Sequence, residues 1–186
     1  MAENQYLTLL RGINVGGNNI IKMISLKGCF EKMGLNDVAT YIQSGNVLFS
    51  SAEENIDRLT HQVEQALSRE FGYESRVVII SHDALQNAVK QAPKGFGKDP
   101  DKYRYDVIFL KKPLTAAEAM ESVKVKDGVD AAYKGKEVLY FSRLISKAAQ
   151  SQLSRIVGSP VYTSMTIRNW NTTTKLLGIL DGRGSE

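Results

Sequence analysis

Three stretches of this sequence gather glycine, amide and arginine residues where plain surface loops would tolerate ordinary charges. The first is Leu9-Leu10-Arg11-Gly12-Ile13-Asn14-Val15-Gly16-Gly17-Asn18-Asn19, an apolar strand running into a glycine-rich turn ahead of a helix. Glycines there let backbone N–H groups converge on an anion, and a helix N-terminus adds partial positive charge. The likeness to a P-loop ends at the spacing of Gly12 and Gly17. Asn18 and Asn19 stand where the phosphate lysine and the magnesium-binding hydroxyl belong, which argues against an ATPase. Strand alternation puts Arg11 on the face of Leu7 and Leu9, so it either emerges at the strand end or is buried with partners.

The second stretch, Thr40-Tyr41-Ile42-Gln43-Ser44-Gly45-Asn46-Val47, sets Gln43 and Asn46 around an expected tight two-residue turn at Ser44-Gly45. Ordinary turn chemistry also explains these residues, because an amide side chain can fasten a loop. The third, Thr166-Ile167-Arg168-Asn169-Trp170-Asn171-Thr172, is expected to open the last helix with Thr166 as its N-cap. Trp170, Leu177 and Leu180 then share an apolar stripe, and core packing explains Trp170 better than base stacking does.

The candidate ligand-binding residues are therefore Arg11, Asn14, Gly16, Gly17, Asn18, Gln43, Asn46, Arg168, Asn169 and Asn171, with Thr40 beside them. This set can recognise a ligand but has little to titrate. General acid–base work wants a His, Asp, Glu or tuned Lys, and only Tyr41 and Lys175 are nearby candidates. His61 and His82 have no nucleophilic neighbour in sequence, and Cys29, between Leu26 and Phe30, suits a small core residue. No metal site and no cofactor is expected: one cysteine and two histidines build neither a thiolate cluster nor an internal disulfide.

LLRGINVGG, TYIQSGNV and TIRNWNT together resemble, in order and over essentially the whole chain, the signatures of an uncharacterised bacterial domain-of-unknown-function family. The resemblance implies a ferredoxin-like α+β architecture built twice, and no known reaction. The chain departs from the pattern at Asn18-Asn19, where a basic residue is expected near the asparagine; that weakens a phosphate cradle further.

The elements that would carry these stretches follow from hydrophobic period. Tyr6–Leu10 is a strand; Leu26, Phe30 and Met33 mark a helix ended by Gly34; Val38–Phe49 holds a hairpin. Ser51 with Glu54 predicts a capping box for a helix with stripe Ile56, Leu59, Val63, Leu67 and Phe71, stopped by Gly72, and Arg76–Ile80 is a buried strand. That order is β-α-β-β-α-β, the ferredoxin-like unit. After a short helix around Asp83–Val89 the order returns. A strand at Tyr105–Leu110 leads to a helix capped by Thr115 and Glu118, then to a hairpin of Val123–Tyr133 and Glu137–Phe141 about Lys134-Gly135. A helix at Leu153, Ile156 and Val157, a brief strand at Val161–Thr163 and a last helix over 167–180 complete it. The expected class is α+β: two ferredoxin-like units with antiparallel sheets plus a C-terminal helix, divided as 1–89, a basic Pro/Gly linker at 90–102, and 103–186.

With 186 residues, 42% apolar and 24% charged, the chain is long enough for one large or two small cores, and its composition is globular. No apolar run reaches the roughly 18 residues of a membrane span, and the start lacks a secretory leader, so no membrane partner and a cytoplasmic location are expected. The net charge of +4 is uneven: residues 1–89 carry −3, 90–112 carry +4 and 113–186 carry +3. Nucleic-acid binding would have to rest on the basic linker and be weak and salt-dependent. The Ser44–Ser51 strand matches the aromatic RNA-recognition signature only at Gly45.

Three functions stay open. The leading one is a non-catalytic binding module for a small anionic or nucleotide-like ligand, or for nucleic acid. The second is a structural or interaction domain whose polar motifs only lock loops. The third is an enzyme on a phosphorylated or nucleotide substrate, with Arg11 or Arg168 stabilising charge.

Overall fold

Tyr6 to Leu10 are five consecutive buried residues, the pattern of a central strand covered on both faces. This strand, β1 (Asn4–Leu10), pairs antiparallel with β3 (Asn46–Ser51) on one side and β4 (Val77–Ser81) on the other. With β2 (Asn36–Tyr41) it forms a sheet ordered β2-β3-β1-β4. The computed structural model describes residues 3–183, in two units: the chain up to Leu85 with its return from Leu180, and Gln86–Ile179.

In the first unit, α1 (Met23–Lys32) and α2 (Ile56–Phe71) supply Leu26, Phe30, Leu59, Val63 and Leu67 to one core with Tyr6 and Phe49. Phe49 stacks on Tyr6 at 5.5 Å between ring centroids and tilts against Phe30 at 5.7 Å. Truncating Phe49 to alanine would cost about 3–5 kcal/mol. Gly72 ends α2 in the left-handed conformation at φ 68°, as the sequence predicts. The cap at the other end differs. Asn55, not Ser51, accepts from the Arg58 N–H, because β3 continues pairing with β1 as far as Ser51. The β2–β3 connection also differs from a two-residue turn: Tyr41 pairs with Asn46, leaving the four residues Ile42–Gly45 as the turn. Asn46 holds it closed, donating to the Tyr41 carbonyl at 2.9 Å and to Ser44 Oγ at 3.0 Å.

The second unit repeats the architecture. Its sheet is ordered β6-β7-β5-β8, from β5 (Tyr103–Leu110), β6 (Asp130–Lys134), β7 (Val138–Leu144) and β8 (Met165–Asn169), all antiparallel. The short helix α4 (Ala116–Glu121) has the expected Thr115–Glu118 capping box. Before β6, residues 123–129 turn rather than extend, since Gly128 is left-handed and the Asp130 carboxylate accepts from the Lys126 N–H at 2.9 Å.

The helix expected at 153–157 is instead the middle of three 3₁₀ segments, Ile145–Gln150, Leu153–Gly158 and Pro160–Ser164. Pro160 and Gly158 break an α-helix, while a three-residue period still buries Leu153 and Ile156 together and leaves Val157 exposed. The brief strand expected at 161–163 lies in the last of these segments. The strand that forms is β8, which pairs Thr166 with Phe109 on the open side of β5. Thr166 is thus a buried strand residue rather than an N-cap. The last helix, α5 (Trp170–Arg183), starts with the Asn169 side chain accepting from the Asn171 N–H at 2.9 Å. The chain crosses between units within α3 (His82–Lys90) and again within α5.

The fold is α+β, with two four-stranded antiparallel sheets in a ferredoxin-like arrangement and a C-terminal helix. Among the described residues, no helix is long and apolar enough to cross a membrane.

Candidate functional site

The first two stretches meet in the first unit. The chain between β1 and α1 does not form a cradle at a helix N-terminus. It folds back as a miniature hairpin, with Val15 bridged to Asn18 and Gly16-Gly17 at the tip. Asn14 fixes this loop: its Nδ2 donates to the Ile21 carbonyl at 3.0 Å and the Gln43 carbonyl at 2.9 Å, and its Oδ1 accepts from the Ile21 N–H at 2.8 Å. Asn14 sits at φ 53°, a conformation asparagine tolerates better than most residues. Gly45 closes the contact, because a Cβ there would lie 2.7 Å from Ile13 Cδ1. Arg11 is the first residue past β1 and is partly buried; its backbone N–H donates to the Arg76 carbonyl at 3.3 Å. Gly16, Gly17, Asn18 and Gln43 are exposed, whereas Asn46 is fully buried.

The third stretch belongs to the second unit, where it forms the junction of β8 and α5. Asn169 and Asn171 line a cleft of about 360 Å³ with Tyr103, Arg104, Arg143 and Trp170, among other residues. Arg168 lies on the other face of β8, outside the lining. Its Nη1 donates to the Ile167 carbonyl at 3.0 Å, and burial pulls its guanidinium down to about 10, still charged at neutral pH.

The cleft is built by strand register. Arg104 on β5 stands directly opposite Arg143 on β7, and Arg143 in turn stands opposite Asp130 on β6, so the two arginines sit in register with an acidic residue on the far side. Arg104 Nε donates to Asp106 Oδ2 at 2.9 Å, which occupies one of its five N–H groups. Arg143 Nε is buried with no hydrogen-bond partner among the described residues, and so are Oδ1 of Asp106 and Oδ1 of Asp130, the residue opposite Arg143. Asn169 is committed on both sides, donating to the Tyr105 carbonyl at 3.2 Å and accepting from Asn171.

Trp170 forms one wall. Phe96 packs edge-on against its ring at 5.1 Å and 90°, and also meets Tyr105 at 4.9 Å and Tyr140 at 5.4 Å. Phe96 comes from the basic Pro/Gly segment, which is therefore anchored at this point rather than loose along its length. The unit holding the cleft, residues 86–179, carries 16 Lys and Arg against 8 Asp and Glu, net +8, while the rest of the chain carries 8 against 12, net −4.

Of the residues singled out from sequence, seven gather around the loop and hairpin of the first unit, and two, Asn169 and Asn171, reach the cleft. Tyr41 ends β2 and Lys175 is exposed on α5; neither lines the cleft. Tyr103, Arg104 and Arg143 went unselected. Arg104 falls within the basic stretch 90–112, and the alternation Tyr103-Arg104-Tyr105 at a strand start is the signal that sets it apart there. Among the described residues, no group of three or more His, Cys, Asp or Glu is placed to hold a metal ion.

These features define an α+β protein of two ferredoxin-like units whose polar residues gather at one loop network and one basic, aromatic cleft. The chain belongs to the DUF1697 family, described as a protein of unknown function, whose model matches residues 3–140. A solved structure, that of a conserved bacterial protein from Streptococcus pneumoniae, is similar over 96% of this chain and 99% of its own, with 26% identity and a TM-score of 0.83. A comparison with curated proteins gives no match.

Proposed function

We propose that this protein is a non-catalytic binding module for a small anionic ligand, held in the cleft of the second unit by Arg104 and Arg143. The observation that carries this reading is the cross-strand arginine pair beside a cavity, with one buried N–H group left unsatisfied. A buried donor without a partner costs about 1–3 kcal/mol, more when charged, and an anion that reaches Arg143 Nε offsets that cost, while Asp106 and Asp130 already balance part of the positive charge. The net +8 of this unit attracts such a ligand. The binding reading is favoured over an enzyme because the lining residues include neither a histidine nor a carboxylate.

The bonds made by Asn14 and Asn46 favour a structural role for the first two stretches: they lock the loop to the hairpin and leave recognition to the cleft.

The test is thermal unfolding with inorganic phosphate and ribose 5-phosphate, on the intact protein and on Arg143→Gln. Binding at 100 times the dissociation constant adds about 2.7 kcal/mol, a rise of several degrees. Loss of that rise in Arg143→Gln supports the cleft. No rise with either anion, or an equal rise in both proteins, overturns it.

A further inference from the structure

Resting on the anion-binding reading of the cleft, we infer that its ligand is a nucleoside monophosphate, with the base against the Trp170 and Tyr103 rings and the phosphate at Arg104 and Arg143. A bare anion has no use for the three aromatic rings in the lining, Tyr103, Tyr105 and Trp170, and a flat base covers more of such a surface than a sugar does. Here Trp170 is more than lining. Gly97, at φ 79°, lies so close that a Cβ on it would be 2.1 Å from Trp170 Nε1, and Phe96 abuts the ring edge-on. The indole is held in one orientation before any ligand arrives, which removes the ordering cost of making a stacking surface. Every nucleobase offers a flat π-face to such a surface.

Asn171 supplies the polar complement. Its backbone N–H is taken by Asn169, while its side-chain amide, exposed at the mouth, has both a donor and an acceptor to offer a base edge. Asn169 is committed to the protein on both sides and shapes the wall. The size suits a single nucleotide: about 360 Å³ is near the lower end of the ~300–1,000 Å³ of ligand pockets.

Trp170 is the chain's one tryptophan, so its fluorescence reports on this cleft alone. The experiment titrates the full chain with UMP, AMP, ribose 5-phosphate, adenosine and a 5′-phosphorylated trinucleotide, following Trp170 emission and, independently, heat of binding. The expected result is saturable quenching by UMP or AMP, with binding at least tenfold tighter than ribose 5-phosphate. Tyr103→Ala should weaken the nucleotide about tenfold, and by clearly more than it weakens ribose 5-phosphate. Arg104→Gln, at a half-exposed position, and Arg143→Gln should weaken both.

Ribose 5-phosphate binding as tightly as UMP overturns the nucleotide inference and leaves the anion-binding reading standing. A trinucleotide binding a hundredfold tighter than UMP overturns it in favour of a nucleic-acid strand. Binding of neither UMP, AMP nor ribose 5-phosphate overturns both.

Discussion

Asn14 holds the Gln43 carbonyl at 2.9 Å with the same amide that bonds both backbone groups of Ile21. One side chain thereby joins the glycine-rich loop, the entry to α1 and the β2–β3 turn. Replacing Asn14 with alanine removes three hydrogen bonds and a residue suited to φ 53°. At about 0.5–1.5 kcal/mol per bond, the expected loss is about 2–4 kcal/mol, measured by urea unfolding. A loss below about 0.5 kcal/mol would mean that the loop is held by other groups.

Gly97 and Gly95 form an internal control. Both have φ near +80°, but an added Cβ meets Trp170 at Gly97 and nothing within 4 Å at Gly95. Gly95→Ala should cost about 1–2 kcal/mol in backbone strain. Gly97→Ala should cost about 1–3 kcal/mol more through overpacking and shift the Trp170 emission. Equal costs would show that the indole yields freely, against a preformed stacking surface.

Ile42 is a β-branched residue at φ 50° and is 47% exposed. This backbone region costs most residues about 1–2 kcal/mol, and asparagine tolerates it. Ile42→Asn should therefore raise stability by about 1 kcal/mol in thermal or urea unfolding. A destabilised variant would show that the Ile42 side chain earns more by packing than its backbone loses.

Tyr140 is buried and donates its hydroxyl to the Ala88 carbonyl at 2.6 Å, and burial pushes its phenol up to about 12. Because the folded protein holds this proton more tightly than the unfolded chain, the associated stability is complete below about pH 10 and is lost between about pH 10 and 12. The loss is about 2–3 kcal/mol at 1.36 kcal/mol per unit. Unfolding free energies from pH 9 to 12 should fall more steeply for the intact protein than for Tyr140→Phe. Parallel curves would place the alkaline loss elsewhere, with Tyr6 and Tyr73, both also raised by burial, the next phenols to replace.

Local signals were legible wherever one element decides the matter. The α2 stripe, the stop at Gly72 and the Thr115–Glu118 box depend on neighbours three or four residues away, and each is where the sequence places it. Thr166 failed for the opposite reason: its polar run looks like a helix cap until β5 offers an unpaired side for β8 to complete. The candidate site divides the same way. Asn169 and Asn171 stood out as an unusual local cluster. Arg104 and Arg143 are unremarkable singly, and only the register of β5 on β7 sets them opposite each other.

The first unit is closed by residues from both ends of the chain: Leu180 is fully buried, and His82 at the head of α3 meets Asp181 at 2.6 Å. A ribosome makes the chain in one direction, so the unit begun first is the last to be completed. Residues 86–179 are all translated before Asp181 is. The first unit therefore depends on a segment made after the whole of the second, so it is not complete until the last turn of α5 is made, and the two cannot mature strictly one after the other.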